Sequence, residues 1–166
     1  MIELTPLAPE HFPLAAGWLS DPAINRWLSG DWRSKATSVT MIAIAVRNRR
    51  NMFFLVSIDG RPCGLVALSE IESSDKLAMI WYLLREPQFA AKGIMSEAVK
   101  QLTRHAFETL QLESVYAWAM QSNAASIRVL EKSGFQSAGR LRRSANLSGQ
   151  QIDRLYFDLT RLDVTR

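Results

Sequence analysis

The sequence predicts a single α/β domain over residues 1–166, with a mixed, mostly antiparallel sheet that contains one parallel strand–helix–strand crossover. Two segments, Leu77–Leu84 and Ser114–Met120, are apolar on both sides and are typical of strands buried on both faces. The segment between them, Gly93–Leu110, carries an apolar residue at every fourth position, which predicts an amphipathic helix. Strand, helix and strand in that order predict a right-handed parallel unit.

The N-terminal third is predicted to hold one short strand, at residues 2–4, and three helices. The first helix covers Pro9–Leu19, with its proline in the first turn, where a missing N–H costs little. The second helix begins at Asp21 and runs to about Leu28. The third is expected from Ser34 to about Arg47.

An antiparallel hairpin is predicted before the crossover. Its strands are Met52–Ile58 and Cys63 to about Ile71. Asp59-Gly60 between them is a strong signal for a tight turn, with Arg61-Pro62 completing the loop.

After the crossover, a helix and a closing hairpin are expected. The helix covers Asn123–Ser133, with Asn123 as its N-cap and Gly134 just past its end. The hairpin pairs Phe135 to about Arg142 with Gln151–Leu159.

The composition excludes several classes of protein. The longest apolar run, Val39–Val46, is interrupted by a threonine and is far shorter than the roughly 20 residues of a membrane span. The only cysteine, Cys63, can form no internal disulfide and no cysteine-based zinc site. Two histidines, His11 and His105, make a histidine-rich metal site improbable. These counts mean that no metal is expected. No basic region precedes an apolar stretch at the start, so no signal peptide and a cytoplasmic location are expected.

The net charge of +4 suits an anionic ligand. Arginines cluster in residues 47–50 and 140–143, but a nucleic-acid partner usually needs a more concentrated basic face, so nucleic acid is not expected. A membrane partner is not expected either, and the assembly is left open between a monomer and a homodimer.

The segment Pro87–Ala98 carries the first chemical signal. It joins a buried strand to a helix N-terminus, where unpaired N–H groups and the positive end of the helix dipole favour an anion. Small residues at Ala90, Ala91 and Gly93 allow a ligand to approach the backbone, which suits a phosphate or pyrophosphate. Ordinary strand–helix turns are also rich in small residues, so this segment alone leaves both interpretations open.

A second segment, Asn123–Phe135, is on its own a capped helix ended by glycine. It follows the first segment by about 30 residues, and the two flank the same buried strand.

Together the two segments resemble the acyl-CoA-binding motifs of the GNAT superfamily of N-acetyltransferases. Lys92–Ala98 resembles the pyrophosphate-binding motif, and Asn123–Phe135 resembles the second motif of the branch that includes ribosomal-protein alanine acetyltransferases. The opening Trp18–Leu28 and the tail, Gly139–Arg142 with Asp153–Tyr156, are similar to the same branch. The resemblance therefore covers essentially the whole chain.

The resemblance implies a GNAT-like sheet whose two central strands splay apart, with pantetheine entering the gap near Ile80–Leu84. It implies acetyl-CoA as co-substrate, no metal, and transfer of an acetyl group to a primary amine. The acceptor is left open between a small amine, including an amino sugar, and the N-terminal amine of a protein. The alternative is a non-catalytic acyl-CoA-binding module.

Site residues follow from the resemblance position by position. The coenzyme is expected to contact Leu83, Ala91, Lys92, Gly93, Ile94, Met95, Ser96, Asn123 and Ser126. Lys92 could instead be a solvated surface lysine, and Asn123 is also a helix cap. Trp27 and Trp32 are expected on the acceptor side, with core packing as the alternative.

Four positions depart from the family pattern. Met95 stands where Gly or Ala is usual, and the other three departures favour the non-catalytic alternative, whereas the retained Asn123, Ser126 and coenzyme loop weigh against it. Ala90 stands where an Arg or Gln is usual, Leu130 where a Tyr often protonates the leaving thiolate, and Ala78 where a Glu often acts as base. In the branch that this chain resembles, a serine takes the acid role, and that position is Ser126. A helix-capping contact between Ser126 and Asn123 is the alternative.

The base is not placed by any motif. Glu70 and Glu72, on the preceding strand, are the nearest carboxylates in sequence, and both could equally be solvated charges at a strand end. Glu70 is therefore a candidate catalytic residue. Alternatively, the pocket selects the fraction of amine that is already neutral.

Overall fold

The computed structural model describes residues 1–33, 35–85, 89 and 92–164, whose strands form one seven-stranded sheet in the order β1-β2-β3-β4-β5-β7-β6. The strands are β1 Ile2–Pro6, β2 Met52–Ile58, β3 Arg61–Glu72, β4 Leu77–Leu84, β5 Ser114–Met120, β6 Gln136–Leu147 and β7 Gln150–Thr160. The helices are α1 Phe12–Ser20, α2 Pro22–Asn25, α3 Val39–Arg47, α4 Ile94–Glu108, α5 Ala124–Lys132 and α6 Arg161–Val164. Only β4 and β5 pair in parallel among these strands, and α4 connects them, so the predicted mixed sheet and its crossover are confirmed.

The sheet separates two hydrophobic cores, and β4 contributes to both. Ala78 and Ile80 pack on one face with α4, while Leu83 packs on the opposite face with α1 and α3. This alternation follows from the two-residue period of a strand. It explains why the whole segment is apolar.

The amphipathic pattern of α4 is confirmed by burial. Ile94, Ala98, Leu102 and Ala106 are each at most 2% exposed. Burying a side chain such as Leu102 contributes roughly 1.5–3 kcal/mol, so this stripe fixes α4 against the sheet. The helix ends at Glu108, two residues before the predicted end.

Three helix boundaries in the N-terminal third differ from prediction. Residues Pro9–His11 form a separate 3₁₀ turn before α1. The second helix ends at Asn25 rather than Leu28, because the chain tightens into a turn in which the Leu28 N–H donates to the Asn25 carbonyl at 3.0 Å. The third helix begins at Val39, where the preceding Ser38 hydroxyl caps the Met41 N–H at 3.2 Å; its predicted start, Ser34, lies outside the described residues.

The first hairpin is tighter than predicted. Arg61 and Pro62 belong to β3, opposite Ile58 and Ser57, so the loop consists of Asp59-Gly60 alone. Both loop residues have positive φ, 49° and 75°, as a two-residue hairpin turn requires. The closing hairpin turns at Ser148-Gly149, and both of its strands are longer than predicted.

The central strands separate after three residue pairs. β4 and β5 are in register at Leu77↔Ser114, Ala78↔Val115 and Met79↔Tyr116, and the pairing stops there. Beyond that point β4 remains paired with β3 as far as Leu84, and β5 remains paired with β7 as far as Met120. The predicted splay is therefore confirmed. In the part of the chain that is described, no helix has the length and apolarity needed to cross a membrane.

Candidate active site

A cleft of about 630 Å³ opens where β4 and β5 diverge. Its two halves lie on opposite faces of the sheet. The coenzyme half, on the α4 and α5 side, is lined by Ile80, Tyr82, Leu84, Gly93, Met95, Ser96, Ala117, Asn123, Ala125, Ser126, Arg128, Val129 and Lys132. The acceptor half, on the α1 to α3 side, is lined by Ala23, Ile24, Trp27, Leu28, Ser29, Trp32, Met79, Trp81, Leu83 and Trp118. The splay joins the two halves.

The start of α4 suits an anion in the coenzyme half. Gly93 is the N-cap residue with a φ of 73°, a left-handed conformation that glycine adopts readily. The side chains of Ile94 and Met95 are buried in the core, so what this turn offers a ligand is mainly backbone N–H groups. A Cβ on Gly93 would meet no atom of the described residues within 4 Å, so these residues leave the approach to the N–H groups open. These features fit a pyrophosphate group.

The other predicted coenzyme contacts differ in position. Leu83 lies on β4 beyond the last residue paired with β5, but its side chain packs on the opposite face with α1 and α3, so only its backbone is available to a ligand in the coenzyme half. Lys92 is exposed, with its Nζ 5.4 Å from the centre of the Phe89 ring. The predicted contact Ala91, and Ala90 where the family has Arg or Gln, lie outside the described residues.

Asn123 and Ser126 lie at the start of α5. The Asn123 side-chain oxygen accepts from the Ser126 N–H at 3.2 Å, so Asn123 is the N-cap that the sequence predicts. The Ser126 hydroxyl makes a different contact, because its Oγ lies 2.9 Å from the hydroxyl of Tyr82 on β4. The side chain of Ser126 is therefore directed to the sheet rather than to the cap.

Tyr82 is a site residue that the sequence analysis missed. Its hydroxyl also donates to the Ser126 carbonyl oxygen at 3.0 Å. Burial raises the pKa of the Tyr82 phenol above its ordinary value, and the hydrogen bond with Ser126 offsets this only in part, so the phenol keeps its proton. The available signal was a single hydroxyl in an otherwise apolar strand.

The phenol has one hydrogen and two acceptors within reach, which couples it to the serine. When that hydrogen is donated to the Ser126 carbonyl, the Ser126 hydroxyl can donate to the phenol oxygen. When it is donated to Ser126 Oγ, the serine hydrogen is free to point elsewhere. The pair can therefore hold the serine proton in two positions.

Tryptophans dominate the acceptor half. Trp32 packs on Trp81 with ring centres 5.7 Å apart and on Phe53 at 6.2 Å. Trp81 is anchored because its Nε1 donates to the Ser69 hydroxyl at 2.9 Å. Trp32 thus packs against the core and also lines the cleft, so both interpretations of the sequence apply to it.

Two further tryptophans each carry an arginine on one ring face. The guanidinium of Arg26 lies 4.9 Å from the centre of the Trp27 ring. The guanidinium of Arg154, on β7, lies 4.4 Å from the centre of the Trp118 ring. Both tryptophans line the cleft and are partly buried. Sequence reasoning missed Trp118, because it stands in a strand that is apolar throughout.

The two carboxylates considered as bases lie in different environments. Glu70 lies in a bulge of β3 with a φ of 54°, and its Oε2 accepts from the Tyr116 hydroxyl at 2.5 Å. Glu72 lies nearer the β3–β4 turn, where the Ser74 hydroxyl donates to it at 2.9 Å. That bond first, then the Ser74 N–H and the charge of Arg50, lower the pKa of the Glu72 carboxyl, which makes it a weaker base.

Glu70 and Tyr116 flank the acceptor half. Their strands lie on either side of β4, and Ser69 and Tyr116 are both in register with Met79, which lines the cleft. Burial first, then the contact with Glu70, raises the pKa of the Tyr116 phenol, so the phenol remains a donor. Among the described residues, no group of three or more His, Cys, Asp or Glu side chains is placed to hold a metal ion.

The chain is similar to known proteins in sequence and in fold. A protein named as a probable N-acetyltransferase, YjcK of Bacillus subtilis, is 38% identical over 55% of this chain and 50% of its own length. The spermidine N(1)-acetyltransferase of Escherichia coli K12 is 30% identical over 58% of this chain and 52% of its own. The structure of RimL, a ribosomal L7/L12 alpha-N-protein acetyltransferase in complex with coenzyme A, superimposes with a TM-score of 0.83 at 21% identity, covering 96% of this chain and 93% of that one.

The chain spans about half the length of the curated relatives that it matches. Residues 2–136 match the family described as the acetyltransferase (GNAT) domain. That range includes the splayed strands, the start of α4 and the Tyr82–Ser126 pair, and it covers most of the chain. The resemblance drawn from the two motifs is confirmed: the protein belongs to the GNAT acetyltransferase family.

Proposed function

We propose that this protein transfers the acetyl group of acetyl-CoA to a primary amine. The observation that carries the proposal is the splay of β4 and β5 after Met79 and Tyr116, which opens one cleft through the sheet. A donor on one face and an acceptor on the other can meet in that gap. Holding two reactants in one geometry is itself a large part of catalysis.

The coenzyme half has a donor set that suits acetyl-CoA. Backbone N–H groups of Gly93, Ile94, Met95 and Ser96 would hold the pyrophosphate, with charge from Lys92. The free edge of β4 around Leu83 would accept the pantetheine arm as an added strand, and Asn123 would contact the coenzyme beside its capping role. When bound, acetyl-CoA supplies an activated thioester carbonyl. In this proposal Ala91 remains a coenzyme contact by resemblance alone.

Ser126 is the proposed acid for the leaving thiolate, with Tyr82 as its positioning residue. The support is that Ser126 Oγ lies at the cleft and is not used to cap α5. As Ser126 gives up its proton, the Tyr82 hydrogen can turn from the Ser126 carbonyl to the serine oxygen and stabilise the developing charge. Leu130, which replaces the usual tyrosine, is fully buried and has no such role.

The amine must be neutral to attack, and two accounts of its deprotonation stay open. In one, Glu70 accepts the proton through water; its support is the position of Glu70 beside Tyr116 and Met79. In the other, the apolar acceptor half selects the neutral fraction of the amine. Glu72 is the less suitable carboxylate, since its pKa is lowered.

Trp27 and Trp32 are the proposed acceptor contacts, and the acceptor is a small amine, including an amino sugar, or the N-terminus of a protein. The similar proteins named for spermidine and for a ribosomal protein both act on amines, which supports this range. The only cysteine is buried, which is compatible with the reducing cytoplasm proposed as the compartment.

The deciding experiment measures coenzyme binding and thiol release separately. Saturating CoA should raise the melting temperature, because a ligand at about 100 times its Kd adds roughly 2.7 kcal/mol. Acetyl-CoA with a panel of primary amines should then release thiol faster than acetyl-CoA alone. A melting shift without amine-dependent thiol release would favour the non-catalytic acyl-CoA-binding module. If millimolar CoA did not raise the melting temperature, both acetyl transfer and the non-catalytic acyl-CoA-binding module would be contradicted.

A further inference from the structure

We propose that the acceptor is a primary amine attached to a flat aromatic group, and not a polyamine. This inference rests on the acetyl transfer proposed above and concerns only the acceptor half of the cleft. Its basis is the combination of tryptophan walls with arginines that each cover one face of two of these rings.

Four of the protein's five tryptophans line the acceptor half: Trp27, Trp32, Trp81 and Trp118. They come from the turn after α2, from β4 and from β5, so the walls surround the gap on several sides. The described lining residues of this half include no charged side chain. An aromatic ring gains both apolar burial and edge or offset contacts from such walls.

A site of tryptophans could instead attract a cation, but two of these rings are already occupied by cations. Arg26 covers one face of Trp27 and Arg154 covers one face of Trp118. A ligand ammonium on the opposite face would share the ring with a guanidinium of the same sign, which weakens the attraction. An aromatic ring on that face carries no charge and meets no such repulsion.

A polyamine also needs carboxylates to receive its several charges. Of the nearby carboxylates, Glu70 is engaged by the Tyr116 hydroxyl, and Asp153 is paired with Arg140 at 3.5 Å. Asp158, opposite Tyr116 on β7, is a further carboxylate on the same face as Tyr116, below the level where the strands part. None of the three lines the cleft, so the extra ammonium groups of a polyamine would face apolar walls.

The test compares 2-phenylethylamine, hexylamine and spermidine as acceptors under one set of conditions. Phenylethylamine is less basic than hexylamine, so kcat/KM is calculated for the neutral fraction of each amine at the assay pH, and the ratio of these corrected values isolates the ring. The expected kcat/KM for phenylethylamine exceeds that for hexylamine by about tenfold, equivalent to about 1.4 kcal/mol, and spermidine is the poorest of the three.

Variants connect this preference to the walls. Trp118→Leu should reduce the phenylethylamine-to-hexylamine ratio to about 1–2 while leaving the melting shift with CoA in place. Trp27→Leu provides the same test in a turn at the cleft edge, should the β5 variant fold poorly. Ile44→Ala is the control, since Ile44 is 65% exposed on α3 and should leave the ratio unchanged.

The outcomes distinguish this inference from the proposed function. If no amine accelerates thiol release, the proposed acetyl transfer fails. If amines are acetylated but hexylamine equals phenylethylamine, or spermidine is the best acceptor, transfer stands and the aromatic acceptor is wrong.

Discussion

The hydroxyl oxygens of Tyr82 and Ser126 lie 2.9 Å apart, although the two residues are 44 positions apart in the chain. The contact connects β4, on one side of the splay, with the first turn of α5. It thus sets the serine side chain at the cleft and keeps it from the capping role that its position in the helix would otherwise allow.

Replacing either partner should lower turnover. Ser126→Ala removes the proposed acid and should reduce kcat by roughly 10²-fold, the low end for acid catalysis. Tyr82→Phe removes one hydrogen bond to that acid and should reduce kcat by roughly two- to tenfold, since such a bond contributes roughly 0.5–1.5 kcal/mol. The Kd for CoA, from titration calorimetry, should change little in either variant.

The double variant tests whether the two side chains act as a unit. Tyr82→Phe should cost almost nothing further in the Ser126→Ala background, because the group that it positions is gone. An equal loss in both backgrounds would show that Tyr82 acts independently of Ser126. A drop in CoA affinity with unchanged kcat would make the pair a binding feature.

The fold was largely predictable because its main signals are local. The stripe of Ile94, Ala98 and Leu102 and the turn at Asp59-Gly60 are encoded within a few residues, and the structure has both. The loop after that turn was predicted too long, since Pro62 belongs to a strand whose pairing with β2 cannot be judged locally. The splay came from family resemblance rather than from periodicity.

The site was less predictable because its contacts depend on register between distant strands. Tyr82 meets Ser126 only because β4 separates from β5 and leaves its side chain facing α5. Glu70 meets Tyr116 through a bulge in β3, and nothing in the residues around Glu70 signals that bulge. Pairwise contacts of this kind require the three-dimensional sheet.

Gly93 should be required for coenzyme binding. Gly93→Ala places a methyl group at the N-cap of α4, where the pyrophosphate is proposed to lie, and forces an L-residue into a φ of 73°. The melting shift with saturating CoA should be lost or reduced by most of its size, as measured by differential scanning fluorimetry.

Gly60→Ala is the matched control. Gly60 has a φ of 75°, and a Cβ there, as at Gly93, would meet no atom within 4 Å in the described part of the chain. Gly60, however, lies in the β2–β3 turn. Both variants should lose about 1 kcal/mol of stability from the backbone conformation. Equal CoA shifts in the two variants would show that the start of α4 does not hold the coenzyme.

Gly64 should be required for the packing of β3 on β4. A Cβ at Gly64 would lie 2.4 Å from the Leu83 carbonyl oxygen and 3.1 Å from the Met95 side chain. Because the first of these is backbone, Gly64→Ala must displace β4 and should lower the free energy of unfolding by roughly 1–3 kcal/mol. Urea unfolding of the variant and the wild type measures this difference in the free energy of unfolding.

Gly17→Ala is the opposite case. Gly17 lies within α1, and a Cβ there meets none of the described atoms within 4 Å, so the change should stabilise the protein by about 0.5–1 kcal/mol. If Gly64→Ala had the same free energy of unfolding as the wild type, the close approach of Gly64 on β3 to the Leu83 carbonyl on β4 would be contradicted.

The pH dependence of transfer should identify how the amine loses its proton. If Glu70 is the base, kcat/KM has a low-pH limb whose position does not depend on the acceptor. Glu70→Gln then removes this limb. If the pocket selects neutral amine, the limb follows the acceptor's own pKa and survives the substitution. The measurement compares two acceptors of different pKa in wild type and variant.

Glu72→Gln is the control for this profile. The pKa of the Glu72 carboxyl is lowered by its hydrogen bond from Ser74, so Glu72 is ionised throughout the assay range and its removal should shift no limb near neutrality. The Tyr116 phenol contributes no limb near neutrality either, because burial raises its pKa above the ordinary value of about 10.

We expect the limb to follow the acceptor, since Glu70 is exposed and does not line the cleft. A limb that is fixed between acceptors and absent in Glu70→Gln would reverse this expectation and identify Glu70 as the base.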